Sequence, residues 1–390
     1  MKNLEKRFSK NLEADSFNKI INSAINLFSK KWYSSVSVAE ICRKAKVSNG
    51  LFYHYFKDKE VLIKYILEQT VNEIKNILLQ VNGKDLDEKI SKLIEYLYNY
   101  TINNKELILV FREGQYRYFE YERRLFKIYY ETLKRILNKE ISLSTYIFVF
   151  GGIRWICIRK SLYGSNISIE DAKNIVLNGI FNDLNFDLNK ILSIPIKFPD
   201  FNFPLQSKER LIDSGKPLFG EKEYFEVNIH NITEKANLAS GSFYKYFESK
   251  QSFFEFLVEL SGKQIRHFIN ENLGENLNRL EIELRGIFLF LNYLKFDRNC
   301  YNIVREAEFV APHKAKEYYQ AFFDGYKKQI DHFKVNQNYP KSSLYNETLI
   351  EFLLGISHYF GIEYAFDNSN IDLVQTLNEL GNLLKKGLKN

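Results

Sequence analysis

The segment from Ile20 to Lys59 recurs without a gap as Leu211 to Lys250, 191 residues further along the chain. Between residues 45 and 59, seven positions are identical in the two copies. They are Ala45, Gly50, Phe52, Tyr53, Tyr55, Phe56 and Lys59 in the first copy, matched by Ala236, Gly241, Phe243, Tyr244, Tyr246, Phe247 and Lys250 in the second. Because chance does not keep one register over a whole segment, the chain contains two copies of the same compact unit.

The first copy has the pattern of several consecutive helices. Between residues 17 and 31 the apolar residues recur at steps of three and four, which predicts an amphipathic first helix. Ser37, Ser48 and Asp58 then predict the starts of two short helices and a longer fourth one, because their oxygens can cap helix N-termini. Glu40 follows Ser37 at the spacing of a capping box. Two short helices joined by a tight turn form a helix-turn-helix unit, which we call the head.

The second copy follows the same plan but its first helix carries two unfavourable replacements. Gly215 and Pro217 take the places of Ala24 and Asn26. An interior proline removes one backbone hydrogen bond and clashes with the preceding turn, at a cost of about 3 kcal/mol in an ideal helix. We therefore expect this helix to be kinked or shortened.

Each head is followed by a long helical stretch, the body, and the bodies repeat as well. Residues 111–113 match 304–306, and 148–155 resemble 352–359. Prolines are few and strand-like alternation is scarce, so we predict an all-α fold built by tandem duplication. The predicted domains are a first head at 1–66, a first body at 67–192, a proline-containing linker at 193–206, a second head at 207–257 and a second body at 258–390.

The charge of the chain is concentrated in its first half. Residues 1–195 hold 31 Lys+Arg against 22 Asp+Glu, a net +9, and the remainder holds 24 against 26, a net −2. A basic half suits a polyanionic partner. The three cysteines are far apart and build neither a disulfide framework nor a metal pair, and no export signal or membrane span is indicated, so we expect a cytoplasmic protein.

The third helix of the first head is the candidate DNA reader. In a helix-turn-helix the second helix of the motif enters the major groove. Phe52, Tyr55 and Phe56 are spaced to face the core, which leaves the other side chains of residues 49–54 outward. The predicted DNA-binding residues of this head are Ser37, Ser48, Asn49, Gly50, Leu51, Tyr53, His54 and Lys59. Ser37 and Lys59 are expected to hold phosphates, and the helix residues to contact base edges.

The run from Val47 to Glu60 resembles the signature of the TetR family of transcriptional regulators. The resemblance implies an N-terminal head that binds double-stranded operator DNA in a homodimer. It also implies a variable helical body that binds a small effector, and usually repression. Such chains carry one head, so two heads in this chain are a departure from the family.

The second head differs wherever bases would be contacted. Ala239, Ser240, Ser242 and Lys245 replace the serine, asparagine, leucine and histidine of the first head. Residues 16–60 carry 8 basic and 3 acidic side chains, whereas 207–250 carry 7 of each. Neutralising fewer phosphates lowers affinity, so we expect weaker DNA binding. The candidate contacts of the second head are Asn228, Ser240, Gly241, Ser242, Tyr244, Lys245 and Lys250.

The resemblance also implies an effector pocket in the bodies, for an apolar or aromatic molecule. The candidate pocket residues are Arg112, Glu113, Tyr116, Trp155, Arg305 and Glu306. Structural salt bridges are the alternative explanation for the charged members of this set. The sequence has no recognisable catalytic, metal-binding or phosphate-binding motif, so we predict no enzyme activity, no metal and no cofactor.

Three functional hypotheses follow. In the first, the repeats dock through their C-terminal helices, around 145–185 and 347–388, as a pseudo-dimer within one chain that binds an asymmetric operator. In the second, a homodimer binds DNA through its first heads only, and the second repeat serves as a sensing or protein-binding module. The third is a helical ligand carrier or enzyme without DNA binding.

Overall fold

A computed structural model describes residues 2–199, 206–330, 341–366 and 371–389, and every regular element in these ranges is a helix. The first repeat contains α1 (Lys2–Phe28), α2 (Val38–Ala45), α3 (Asn49–Tyr55), α4 (Lys59–Leu79), α5 (Leu86–Asn103), α6 (Lys105–Arg117), α7 (Glu120–Leu137), α8 (Leu143–Tyr146), α9 (Gly152–Ile158), α10 (Ile169–Asn178) and α11 (Leu188–Ser193). The second contains α12 (Ser207–Glu221), α13 (Ile229–Lys235), α14 (Lys250–Asn272), α15 (Arg279–Phe296), α16 (Arg298–Val310), α17 (Pro312–Lys328), α18 (Tyr345–Phe366) and α19 (Leu373–Lys386). The all-α tandem fold is confirmed.

The chain divides into two compact units. The first unit comprises Met1–Val81 and Tyr96–Thr132, and the second comprises Asn82–Glu95 and Leu133–Asn390. The first unit therefore holds the first head, and the second unit holds the second head together with the C-terminal helices of both repeats. None of the helices in the described residues is long and apolar enough to cross a membrane.

The first head forms the helices that its caps predict. Ser37 Oγ accepts a hydrogen bond from the Glu40 N–H at 3.1 Å, and Ser48 Oγ accepts one from the Leu51 N–H at 3.2 Å. Asp58 caps α4 in the same manner. Helix α1 begins at Lys2 and ends at Phe28, so it starts well before the amphipathic stretch predicted at 17–31 and stops three residues short of its end.

The second head keeps its first helix despite the proline. Pro217 lies inside α12, which continues to Glu221, so the proline does not shorten the helix, and the kink stays a prediction. Tertiary packing outweighs the local cost of the proline, because Leu211 and Phe219 on this helix are completely buried. Gly215 is required by the same packing, since a methyl group there would lie 2.4 Å from a ring carbon of Phe253.

The third helix of the second head departs from the plan. Residues Ser240–Lys245 form a 3₁₀-helix, whereas α3 of the first head is α-helical. The N-cap is lost, because Ala239 stands where Ser48 caps α3, and such a replacement costs about 1 kcal/mol. The 3₁₀ form therefore follows from the side chains that changed between the two heads.

Within the second unit, the C-terminal helices of the two repeats contact each other through equivalent residues. Gly151 and Gly355, 204 residues apart, approach so closely that a methyl group on either would meet the carbonyl oxygen of the other, at 3.3 and 2.5 Å. The ring of Phe148 packs against its counterpart Phe352, with centroids 5.7 Å apart. Contacts of a residue with its own equivalent are those expected near a twofold axis.

The ends of the two repeats pair through their backbones in the same reciprocal way. The Leu388 N–H donates to Val176 O at 3.0 Å, and the Ile180 N–H donates to Leu384 O at 2.7 Å. The two donors, Ile180 and Leu388, are 208 residues apart, and the two acceptors, Val176 and Leu384, are separated by the same number. The contact of α9 and α10 with α18 and α19 therefore has approximate twofold symmetry.

The first part of the predicted linker is anchored to the second repeat. Arg285 is completely buried and its guanidinium donates to the carbonyl oxygens of Ile191, Ile194 and Asn272 at 2.9–3.2 Å. These are carbonyl groups at helix ends or beyond them, where no helical N–H is available. Residues 200–205 of the predicted linker lie outside the described residues.

Candidate nucleic-acid interface

The recognition helix α3 of the first head presents its polar side outward. Phe52 is completely buried and Phe56 is 3% exposed, whereas Tyr53 is 56% exposed. Tyr55, predicted to face the core, is half-buried with its ring 5.3 Å from that of Phe17. The remaining predicted residues are accessible: Ser37, Ser48, Asn49, Gly50 and His54 are exposed, and Leu51 is partly exposed.

Basic side chains occupy the segments on both sides of α3. Arg43 and Lys44 lie in the last turn of α2, and Lys46 takes a left-handed conformation in the turn between the helices, at φ 56°. Lys57 lies two residues after the end of α3, and all four of these side chains are exposed. A capped, exposed helix between cationic segments has the features that a major-groove reader needs.

Lys59, predicted as a phosphate contact, is held by the head itself. Its Nζ donates to Tyr33 O at 2.7 Å and to Val36 O at 2.6 Å, and lies 4.3 Å from the centre of the Tyr33 ring. Burial lowers the pKa of this amine from its usual value. An ammonium has three donors, so only one remains for a phosphate. The first role of Lys59 is therefore to fix the short segment between α1 and α2.

The same arrangement recurs in the second head, and a body glutamate completes it in both. Lys250 Nζ donates to Tyr224 O at 2.9 Å and to Val227 O at 2.8 Å. The N–H of Tyr224 donates to Glu306 at 2.6 Å, as the N–H of Tyr33 donates to Glu113 at 2.9 Å. The lysine, the tyrosine backbone and the glutamate form a repeated head-to-body latch.

We expect Lys59→Met to destabilise the first head by about 1–3 kcal/mol, because it leaves two carbonyl oxygens without their donor. Lys57→Met, which removes an exposed lysine two residues away, is expected to change stability by less than about 0.5 kcal/mol. Urea denaturation followed by circular dichroism measures both variants. Equal stability of the two would contradict the latch.

The corresponding face of the second head has the opposite charge at several exposed positions. Glu221, Glu234 and Glu248 stand where the first head has Lys30, Arg43 and Lys57, and all six side chains are exposed. The predicted contacts Asn228, Ser240, Gly241, Tyr244 and Lys245 are exposed, and Ser242 and Lys250 are partly so. The face is thus accessible, but its charge and its 3₁₀ geometry differ from those of the first head.

A domain model described as bacterial regulatory proteins, tetR family, matches residues 20–66 and 211–257. These parts of the chain are TetR-family domains. The two matches coincide with the two heads, so the TetR N-terminal domain is present twice.

Relatives resemble single repeats of this TetR chain. The HTH-type transcriptional regulator YuxN of Bacillus subtilis is 35% identical over 106 residues, which is 26% of this chain and 36% of that protein. The Transposon Tn10 TetC protein of Escherichia coli is 37% identical over 98 residues, 24% of this chain and 48% of that protein. The chain thus spans about a third of the length of YuxN and half of TetC.

Among solved structures, the fatty acid degradation regulator FadR from Bacillus halodurans matches 48% of this chain and 100% of its own, with 15% sequence identity and a TM-score of 0.40.

The six residues predicted to form the effector pocket do not line one common cavity. Glu113 serves in the head-to-body latch and borders a cavity of only about 10 Å³, which is the room of a single water molecule. Glu306 serves in the second latch. Both glutamates thus hold a backbone N–H of their own head, and their role as effector contacts stays a prediction. Arg112, Tyr116 and Arg305 are not among the residues that line this small cavity or the larger one described next.

A larger cavity lies in the body of the second TetR repeat, with a volume of about 200 Å³. Trp155, a predicted pocket residue from the first repeat, lines it together with Tyr301 and His358. Sequence reasoning missed the other wall residues. Their only signal was aromatic residues at helical spacing in α16 and α17, a pattern that ordinary cores share.

Proposed function

We propose that this TetR-family protein is a DNA-binding transcriptional regulator whose first head recognises the operator. The observation that carries the proposal is α3, an α-helix capped by Ser48 that exposes Asn49, Tyr53 and His54 between cationic segments. Asparagine can bond adenine through two atoms, and tyrosine and histidine can reach phosphates or base edges. The cytoplasm is the site of action that we propose with this DNA partner.

We further propose that the two repeats act as a pseudo-dimer within one chain. The reciprocal contacts near Gly151 and Gly355 support this arrangement. The buried ion pair of Arg159 with Glu351, at 2.9 Å, supports it independently. Residues 204 positions apart are equivalent in the two repeats, so Glu363 corresponds to Arg159 and Ile147 corresponds to Glu351. If two first repeats docked in this way, Arg159 of one would face Ile147 of the other and would lack its carboxylate. An unpaired buried charge is costly, so the surface favours unlike repeats.

The cavity in the second body is the proposed effector site. It is enclosed by mostly apolar and aromatic side chains with a few polar groups, the usual character of small-molecule sites. Release of the operator on effector binding, and repression as the sign of regulation, are proposed from the usual behaviour of the family.

The experiment that tests the proposal is selection of bound sequences from a random DNA pool, followed by footprinting and mass measurement of the complex. We expect one chain per operator and two dissimilar half-sites. Two chains on a strict palindrome would favour the homodimer that uses only first heads, an alternative that the 3₁₀ geometry of the second head also supports. No DNA binding would favour the carrier or enzyme.

If the second head contacts DNA, replacing its three exposed glutamates by the basic residues of the first head should strengthen DNA binding. For the triple variant Glu221→Lys, Glu234→Arg, Glu248→Lys we expect the slope of log affinity against log salt to steepen by up to about 2–3, since each added phosphate contact contributes about 0.9. Fluorescence anisotropy at several salt concentrations measures the slope. The same glutamates changed to glutamine serve as the control, with a smaller expected change. An unchanged slope in the triple variant would mean that the second head does not contact DNA.

A further inference from the structure

The cavity in the second body carries an uneven distribution of charge, which indicates the kind of molecule it binds. Apart from His358, its charged lining residues are Arg266, Arg279 and Glu283. Two of these neutralise each other, because Arg279 Nη2 lies 2.8 Å from Glu283 Oε2. Tyr326 donates its hydroxyl to the other oxygen of Glu283 at 2.5 Å. Both members of the pair are buried in the wall.

Arg266 is the remaining cation of the cavity wall, and the carboxylate that attracts it, Glu259 on the same helix, also pairs with Lys263 and Lys314. Its Nη1 is buried and has no hydrogen-bond partner, and its guanidinium lies 5.5 Å from the centre of the Phe322 ring. Burial lowers the pKa of this group, and an arginine nevertheless stays protonated in a protein. A positive charge with a free donor beside an apolar space is stabilised by an anion.

Many of the other residues that line the cavity are aromatic. The hydroxyl of Tyr301 lies 2.8 Å from His358 Nδ1, so these two polar groups satisfy each other. The Trp155 ring packs on the His358 ring at 4.6 Å between centroids, and its Nε1 is bonded to Glu351. Ile287, Phe290 and Leu354 add apolar surface to the wall. A ligand in the cavity therefore meets hydrocarbon and ring surfaces.

We propose that the effector is an amphipathic carboxylate, an apolar or aromatic molecule with one anionic group, whose carboxylate is bound by Arg266. This inference rests on the proposed effector site and specifies its ligand class. The apolar portion lies against Trp155 and Phe290, and the carboxylate accepts from the Arg266 guanidinium. Because Trp155 belongs to the first repeat and the other wall residues to the second, the ligand contacts both repeats.

The test compares decanoate with decanamide, which has the same chain and no charge. The protein has two tryptophans, so a Trp32→Phe variant reports binding through Trp155 alone. We expect decanoate to bind about ten- to a hundred-fold more tightly than decanamide, the difference that a hydrogen bond to a charged group makes. Arg266→Met, which keeps an unbranched side chain at this position and removes the charge, should abolish that preference and leave decanamide affinity within about two-fold.

Lys263→Gln is the matched control, since this exposed lysine lies one turn before Arg266 on α14 and does not line the cavity. It should leave both affinities unchanged, and Arg266→Lys should keep part of the preference. Equal binding of decanoate and decanamide would overturn the carboxylate assignment while leaving the effector site in place. Binding of neither probe would overturn the ligand class, and operator binding measured separately would still test the proposed function.

Discussion

Replacing Asn49 and Tyr53 together with alanine is expected to lower operator affinity by about thirty-fold or more. Each good base contact discriminates by about 1–3 kcal/mol, and loss of two such contacts corresponds to at least about 2 kcal/mol. Both side chains are exposed, and Tyr53 is 56% exposed, so the head should remain folded without them. Fluorescence anisotropy with the selected operator at fixed salt measures the change.

The matched variant carries Ser240→Ala and Tyr244→Ala in the second head. We expect a loss of less than about three-fold, because the 3₁₀-helix and the glutamates around it do not favour close contact with bases. Circular dichroism should show that both double variants keep their helical content. A larger loss in the second head than in the first would reverse the roles assigned to the two heads.

The first head could be predicted almost completely because its signals are local. Ser37, Ser48 and Asp58 start helices by accepting hydrogen bonds from the backbone three positions on, so the sequence spacing contains the whole interaction. The same reasoning failed for the third helix of the second head. Its buried frame, with Phe243 and Phe247, is identical to that of α3, while the N-cap that favours the α-helical form is missing.

The roles of Lys59 and Glu113 could not be inferred from the sequence, since their partners lie far away in the chain. Lys59 bonds the carbonyl of Tyr33, 26 residues earlier, and Glu113 bonds the N–H of the same residue from 80 residues later. Recurrence of the motif was correctly detected, but recurrence alone does not separate a DNA contact from a structural latch. The cavity in the second body is assembled over longer distances still, from α9 and from α14 to α18.

The ion pair of Arg159 with Glu351 should be the interaction whose loss most destabilises the second unit. Glu351 is 1% exposed and accepts from Arg159 Nε at 2.9 Å, Trp155 Nε1 at 2.9 Å and Ser165 Oγ at 3.1 Å. Glu351→Ile introduces isoleucine, the residue that the first repeat has at the equivalent position, Ile147. It leaves a buried guanidinium unpaired, which costs about 3–5 kcal/mol. Urea denaturation followed by circular dichroism gives the free energy of unfolding.

The double variant Arg159→Met with Glu351→Ile should recover most of this loss, because buried ion pairs exchanged for apolar residues of similar volume are often close to neutral. Glu259→Gln, which breaks an exposed pair with Lys263, provides the control and should cost less than about 1 kcal/mol. If the double variant were as unstable as Glu351→Ile alone, the cost would come from lost packing rather than from an unpaired charge. The argument that this surface selects unlike repeats would then fail, and the homodimer would become the better explanation of how the protein assembles on DNA.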